Sequence, residues 1–462
     1  MSAEPGTSNK VSPSPATPGE PFPHAQSYRD DPEVQSPEQL PLQERTKIVF
    51  SRKSRGRRFL KLLFGILSVW LLLWVLRWVY YRHVYTPQYR WPSPGWGVTK
   101  DECTQSGAWS RINKPENGWP YQAETTFDIP LGNGGLLYFQ SGGHNLGGHI
   151  EITTSKEQAK DTATVHVSIS YRNDKVPDLT RACRVKRRSP LIGEDAKELG
   201  VGIYTPEYDW RYSHNLHPVE FNFKITLPEL ADDLLAIKKF TTYLPNTSHK
   251  ISSLENKIAF GHLELQGTNR EINVESVSAT RGTFFNTKSH IKGTFNVTDN
   301  LTIRSWDGEI SADVGLVHAE GVPTLDAEST NGKLSAQISL LPTQSNTPGH
   351  FNVLTKSTNG ALSVSFPSSP LESRLRFRGK ALNGPATVSL NPAFEGYVTA
   401  RSNSHFPRVL PDLSVRDPSG KKRRRTVAGW GMGNEFIGEI RWGMIPFGDF
   451  EVETTNGQIV VK

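Results

Sequence analysis

Four stretches of this chain spell nearly the same short phrase: SWDGEISADV (305–314), STNGKLSAQI (329–338), STNGALSVSF (357–366) and TTNGQIVVK (454–462). Each fits the pattern apolar-x-apolar-x-Ser/Thr-x-Asn/Asp-Gly-x-Leu/Ile-x-small-x-apolar. A period of two with one apolar face is the mark of a half-buried strand. The turns fall on Asp307-Gly308, Asn331-Gly332, Asn359-Gly360 and Asn456-Gly457. Such pairs tolerate positive φ, which a tight reversal between strands requires. Around a reversal at Asn331-Gly332, Leu325 is expected to face Ile338, and Ala327 to face Ala336.

Two all-β architectures use such a unit, a sandwich of hairpins and a β-solenoid in which equivalent residues stack in columns. Gly308, Gly332 and Gly360 are 24 and 28 residues apart (308 to 332, 332 to 360). That spacing suits one coil per copy, and hairpins alone predict no fixed period, so the solenoid is favoured. Leu334 should then share a buried column with Ile310 and Leu362. Weaker copies precede the series at 272–286 and follow it at 386–402.

The repeat unit is expected over 251–462, preceded by a separate β-rich unit over 98–250. In the latter, TVHVSISY (164–171) and FNFKITL (221–227) alternate as strands do. LPELADDLLAIKKF (227–240) offers a short amphipathic helix instead.

Upstream the character of the chain changes. Residues 1–46 contain nine prolines among Ser, Thr, Glu and Gln and cannot bury enough surface to offset the entropy of ordering, which predicts a disordered tail. A basic juxtamembrane segment (47–58) leads into FLKLLFGILSVWLLLWVLRWVYY (59–81), a single transmembrane helix with Trp78, Tyr80 and Tyr81 at one edge. A Pro/Trp-rich linker follows (82–97). Lys47, Arg52, Lys53, Arg55, Arg57, Arg58 and Lys61 crowd the N-terminal side, so the tail is expected in the cytosol and the rest lumenal or extracellular. On that side Asn246, Asn296 and Asn300 each open an N-x-Ser/Thr acceptor. The compartment is oxidising, so Cys103 and Cys183 should tend to pair.

The Ser/Thr-x-Asn-Gly-x-Leu/Ile-x-Ala/Val copies resemble those of adhesin-like β-solenoid families of cell-surface proteins. The longer layout, with a Pro-rich tail, one span, GVGIYTPEYDW (200–210) and then the repeats, is similar to uncharacterised fungal single-span membrane proteins. The resemblance covers roughly 120–462 and implies a surface-exposed, non-catalytic β domain. Between about 367 and 446 the copies blur.

Chemistry leaves few marks. There is no G-x-S-x-G, H-E-x-x-H or G-x-x-x-x-G-K-S/T motif, and GWGMGNE (429–435) lacks the strand-to-helix setting of a dinucleotide site. His144, His149, His214 and His217 read as loop histidines. The 53 basic against 46 acidic residues give a mild +7, with no nucleic-acid-like basicity to explain. No catalytic residue, cofactor or metal is expected. The run Lys421, Lys422, Arg423, Arg424, Arg425 reads as a solvated loop, a dibasic processing site or a contact for anionic polysaccharide or lipid. The expected partners are the lipid bilayer and a cell-wall or surface polysaccharide or another ectodomain. The expected function is structural or adhesive binding at the cell surface or along the secretory route. The alternative is a membrane-tethered carbohydrate-active enzyme, which would need carboxylates grouped on one face.

Overall fold

The computed structural model describes residues 55–84, 91–93, 98–104, 108–112, 118–132, 134–189, 196–207, 218–342, 348–410, 412–443 and 446–462. The tail expected over 1–46 and most of the 82–97 linker lie outside them, as do His214 and His217. Contacts divide the chain into Met1–Thr86 and Pro87–Lys462. In the first unit one helix, Arg55–Val84, runs through the stretch expected to span a membrane. Among the described residues no helix is long and apolar enough to cross a membrane.

The second unit is almost all β. One ladder of parallel strands runs, neighbour beside neighbour, through Lys197–Tyr204, Leu136–Gly142, Leu235–Tyr243, Ile258–Gly267, 278–286, 300–305, Thr324–Ser329, His350–Ser357, Arg374–Ala381, Gly448–Thr454 and Gly396–Ser402. A second runs through Val219–Pro228, Leu146–Ser155, Thr247–Ser253, 272–276, 291–297, Ile310–His318, Leu334–Pro342, Leu362–Ser365, Ala386–Ser389, Ile459–Val461 and Arg408–Val409. Antiparallel strands close the ends. Val98–Cys103 and Arg181–Arg188 flank the start of the first ladder, and Glu435–Arg441 and Thr426–Met432 its finish.

The two arms of each copy therefore lie in different ladders, and the cross-turn pairing of Leu325 with Ile338 does not form. Leu325 instead sits between Leu301 and Val353, its counterparts in the neighbouring copies. Period-two burial holds on both arms, because each ladder turns one face inward. Ile272, Ile291, Ile310, Leu334, Leu362, Ala386 and Ile459 form one continuous register column, and all are buried in a single core. Burying a Leu or Ile side chain contributes about 1.5–3 kcal/mol, so such a column is a main source of stability.

The Asn-Gly turns are held differently from a hairpin reversal. None of Asp307, Gly308, Asn331, Gly332, Asn359, Gly360, Asn456 and Gly457 has positive φ. Glycine is needed for room: a Cβ on Gly332 would overlap the carbonyl oxygen of Gly308, and one on Gly360 that of Gly332. The motif hydroxyl closes the turn, Ser329 and Ser357 each donating at 2.8 Å to the carbonyl of the glycine three residues on, and Thr454 at 2.7 Å. The amides bond copy to copy, Asn331 to Asp307 at 2.5 Å, Asn359 to Asn331 at 2.6 Å and Asn383 to Asn359 at 2.7 Å.

Asn383-Gly384 is thus a further full copy inside the region read as blurred. Ala381 replaces its Ser/Thr and Pro385 follows its glycine, which hides it from the pattern. The helix expected over 227–240 is absent too. Val219–Pro228 ends as a strand and Leu235–Tyr243 begins the next, because strand partners on both sides of each outweigh a weak helical propensity. The ladders run on across residue 250, so 98–250 and 251–462 share one core.

Candidate ligand-binding cleft

The outward face of the first ladder carries a cleft of about 440 Å³ near its N-terminal end, within the range of small-ligand sites. Its residues come from adjacent strands in register. Gln140, Tyr243 and Gln266 form one row across three strands, and Tyr138, Thr241 and Glu264 the row beside it. Tyr204 and Arg187 close one side. Alternation puts these side chains outward because their neighbours Leu137, Phe139, Phe240, Leu263 and Leu265 occupy the core.

The floor is fixed by its own hydrogen bonds. The Tyr138 hydroxyl donates to Gln140 Oε1 at 2.8 Å, and the Gln140 amide donates to the Tyr204 hydroxyl oxygen. Burial raises the pKa of both tyrosines, for Tyr138 against the opposing pull of Arg187. Beneath them Glu198, fully buried, accepts from Lys239 Nζ at 2.8 Å and Arg187 Nη2 at 2.6 Å. The Arg187 guanidinium lies 4.0 Å from the centre of the Tyr138 ring. Lys100 Nζ stands 3.7 Å from that of Tyr204 and donates to the Pro92 carbonyl at 2.8 Å. The buried Lys239 and the partly exposed Arg187 share the buried Glu198 carboxylate, which makes a rigid base, since removing both cations would strand its charge. Gln266 Nε2 donates to Glu264 Oε1 at 2.6 Å, leaving the other Glu264 oxygen for the cleft. The lining thus offers one carboxylate, Glu264, whereas glycoside hydrolysis usually works with two.

The residues singled out in the sequence do not gather here. Cys103 and Cys183, register partners on antiparallel strands, are joined by a disulfide. Asn246 has a φ of 57° and accepts from the Thr268 hydroxyl and the Asn269 amide. Asn296 donates to Glu255 at 2.6 Å, and Asn300 lies 3.5 Å from the Thr302 hydroxyl of its own acceptor triplet. His149 is a strand residue of the second ladder, its Nδ1 2.8 Å from Ser248 Oγ. The basic run is partly pinned. Arg423 is bound through backbone and side chain by Asp417 and reaches Glu395 at 3.4 Å. Arg425 is buried beside Trp442 and donates to the Asp412 carbonyl at 3.0 Å. Lys421, Lys422 and Arg424 are exposed. A processing protease needs an extended backbone across its cleft, and this loop would first have to give up the Arg423 and Arg425 contacts.

Among known sequences, the profile of DUF7330, a domain of unknown function, matches residues 285–462, short of half the chain. No curated protein matches. Among solved structures the chain is similar to a putative cell adhesion protein from Clostridium sporogenes, at 10% identity, over 74% of this chain and 99% of that one. The TM-score of 0.17 is too low to carry an argument about fold or function.

Proposed function

We propose that residues 98–462 form a β-solenoid tethered by a single membrane span over 59–81, tail in the cytosol, and that the solenoid does structural or adhesive binding at the cell surface or along the secretory route. The observation that carries this reading is the pair of parallel ladders with their copy-to-copy side-chain columns. Such a stack is stable along its length and presents long, regular outer faces, which suits it to binding extended partners. The tether is supported by the described side chains from Leu63 to Leu76, apolar apart from Gly65 and Ser68 and strongly exposed. A helix apolar all round needs an apolar surrounding. The Cys103–Cys183 disulfide supports placing the solenoid in an oxidising compartment.

Proteoliposomes carrying the full chain test the reading. They should adhere to surfaces coated with cell-wall polysaccharide, or to one another, without releasing reducing ends. Release of new reducing ends would replace it with the membrane-tethered carbohydrate-active enzyme. In cells, glycosidase treatment should shift the mass of the chain through at least one of Asn246, Asn296 and Asn300. An unshifted chain with a protease-protected N-terminal tail would overturn the orientation.

A further inference from the structure

We propose that the cleft between Tyr138, Tyr204 and Tyr243 is a saccharide subsite that takes a neutral terminal sugar of a glycan. The proposal rests on the binding-module reading and names where and what that module binds. Three features of the cleft carry it.

The first is the row Gln140, Tyr243, Gln266. Tyr243 is 52% exposed and offers an open ring face between two carboxamides. Neighbouring strands lie about 4.8 Å apart, so the amides stand roughly 10 Å apart on either side of the ring. A pyranose presents an apolar C–H face to stack on such a ring and a rim of hydroxyls that each donate and accept. Carboxamides can answer both needs. The buried Gln140 has its carbonyl and one N–H engaged by Tyr138 and Tyr204, and Gln266 gives one N–H to Glu264, so the Gln266 carbonyl is the main acceptor left for a sugar hydroxyl.

The second is charge. Arg187 and Lys239 stand against Glu198 and Glu264, two cations to two anions. The lining therefore carries no net charge to draw an acidic or a cationic ligand, while the free Glu264 oxygen accepts from a sugar hydroxyl.

The third is Thr241, at the centre of the second row. It is 2% exposed, and its hydroxyl has no hydrogen-bond partner among the described residues. A buried hydroxyl left unpaired costs stability, and of the buried polar atoms without a partner among the described residues only that of Thr241 belongs to the cleft lining. Its neighbours in register, Tyr138 and Glu264, both line the cleft, so a sugar hydroxyl seated between them lies beside a hydroxyl that lacks a partner. Because Gln140 already ties Tyr138 to Tyr204, the floor has little ordering left to lose on binding.

The test uses the full chain in detergent against an array of neutral and acidic glycans, followed by titration with the glycan bound best. Tyr243→Ala should weaken that binding tenfold or more, as expected for an aromatic anchor. Thr241→Val should raise the melting temperature and yet weaken binding severalfold, a combination that a purely structural hydroxyl would not give. Tyr397→Ala, which alters an exposed tyrosine on Gly396–Ser402 outside the cleft lining, should leave binding unchanged. Parental affinity in both cleft variants would overturn the subsite while leaving the binding module standing. Binding of acidic glycans alone would overturn the neutral-sugar assignment. Adhesion of proteoliposomes with no response to any glycan on the array would likewise overturn the subsite, whereas failure of adhesion itself would remove the reading beneath it.

Discussion

Asn456 donates its side-chain amide to Asn383 at 2.8 Å, across 73 residues of sequence. The bond places the last copy directly on the copy at 374–389, with Phe450 stacked on Phe377, ring centres 4.8 Å apart. On its other side Gly448–Thr454 pairs with Gly396–Ser402, an earlier stretch of chain. Phe450, Val452, Ile459 and Val461 are interior residues of the stack, all buried, and the outer rung is made by 396–409.

Deletion of 446–462 should therefore remove a rung from the middle and leave no stable soluble product. Asn456→Ala removes one exposed hydrogen bond and should cost only about 1 kcal/mol. Limited proteolysis of both variants beside the parent checks this. A protease-resistant product from the deletion would show that 396–409 can dock directly on 374–389.

The column through Leu334 predicts an asymmetry between sequence neighbours. Leu334 is fully buried between Ile310 and Leu362, so Leu334→Asp should cost several kcal/mol by burying an unpaired charge. The Lys333 side chain is 52% exposed, and Lys333→Asp should change stability by less than about 0.5 kcal/mol. Urea unfolding of the two variants measures the difference, and equal losses would contradict the inward and outward assignment.

The Cys103–Cys183 disulfide closes a separation of 80 residues and ties the edge strand Val98–Cys103 to Arg181–Arg188. Cys103→Ser together with Cys183→Ser should cost about 2–5 kcal/mol. The parent should lose a similar amount in reductant, and the double variant should not respond to reductant at all. Thermal unfolding with and without reductant separates these outcomes.

His249 gives the pH dependence a sign. It is fully buried, its Nε2 lies 2.9 Å from Thr242 Oγ1, and burial pushes its pKa from 6.5 down to about 3. The folded state keeps it neutral while the unfolded chain takes up a proton. Stability should therefore fall as pH drops from about 6.5 towards 3, at up to about 1.4 kcal/mol per unit for this one group. His149 and His262, both lowered by burial, act in the same direction. Measured between pH 7.5 and 5, His249→Gln should show a flatter decline than the parent. An identical slope would mean that His249 takes up its proton without unfolding.

What the sequence disclosed was local. Alternation around Asn331 and Asn359 marks the arms, and the spacing of Gly308, Gly332 and Gly360 marks the rungs. What it concealed was partnership. Nothing near Leu136 or Gly448 says which strand will lie beside it, because parallel neighbours are chosen by the shared core and not by adjacent residues. The reading of glycine as a φ requirement failed for the same reason, since the close approach of Gly308 to Gly332 belongs to two copies at once. The cleft was illegible on this account too. Tyr138, Gln140, Thr241, Tyr243, Glu264 and Gln266 are unremarkable outward residues of three strands until register sets them in rows.

The intercalated rung also sets a timetable for biosynthesis. Chains emerge from the ribosome in order, and most repeat stacks can add each unit as it appears. Here the strand at 396–402 emerges before the one that must lie beneath it, and it has to wait, apolar side exposed, while some fifty further residues are made. A nascent chain halted anywhere in that interval is left with a gap and a loose flap, both recognisable to chaperones. The core between 374–381 and 396–402 can therefore close only once 448–461 has been made.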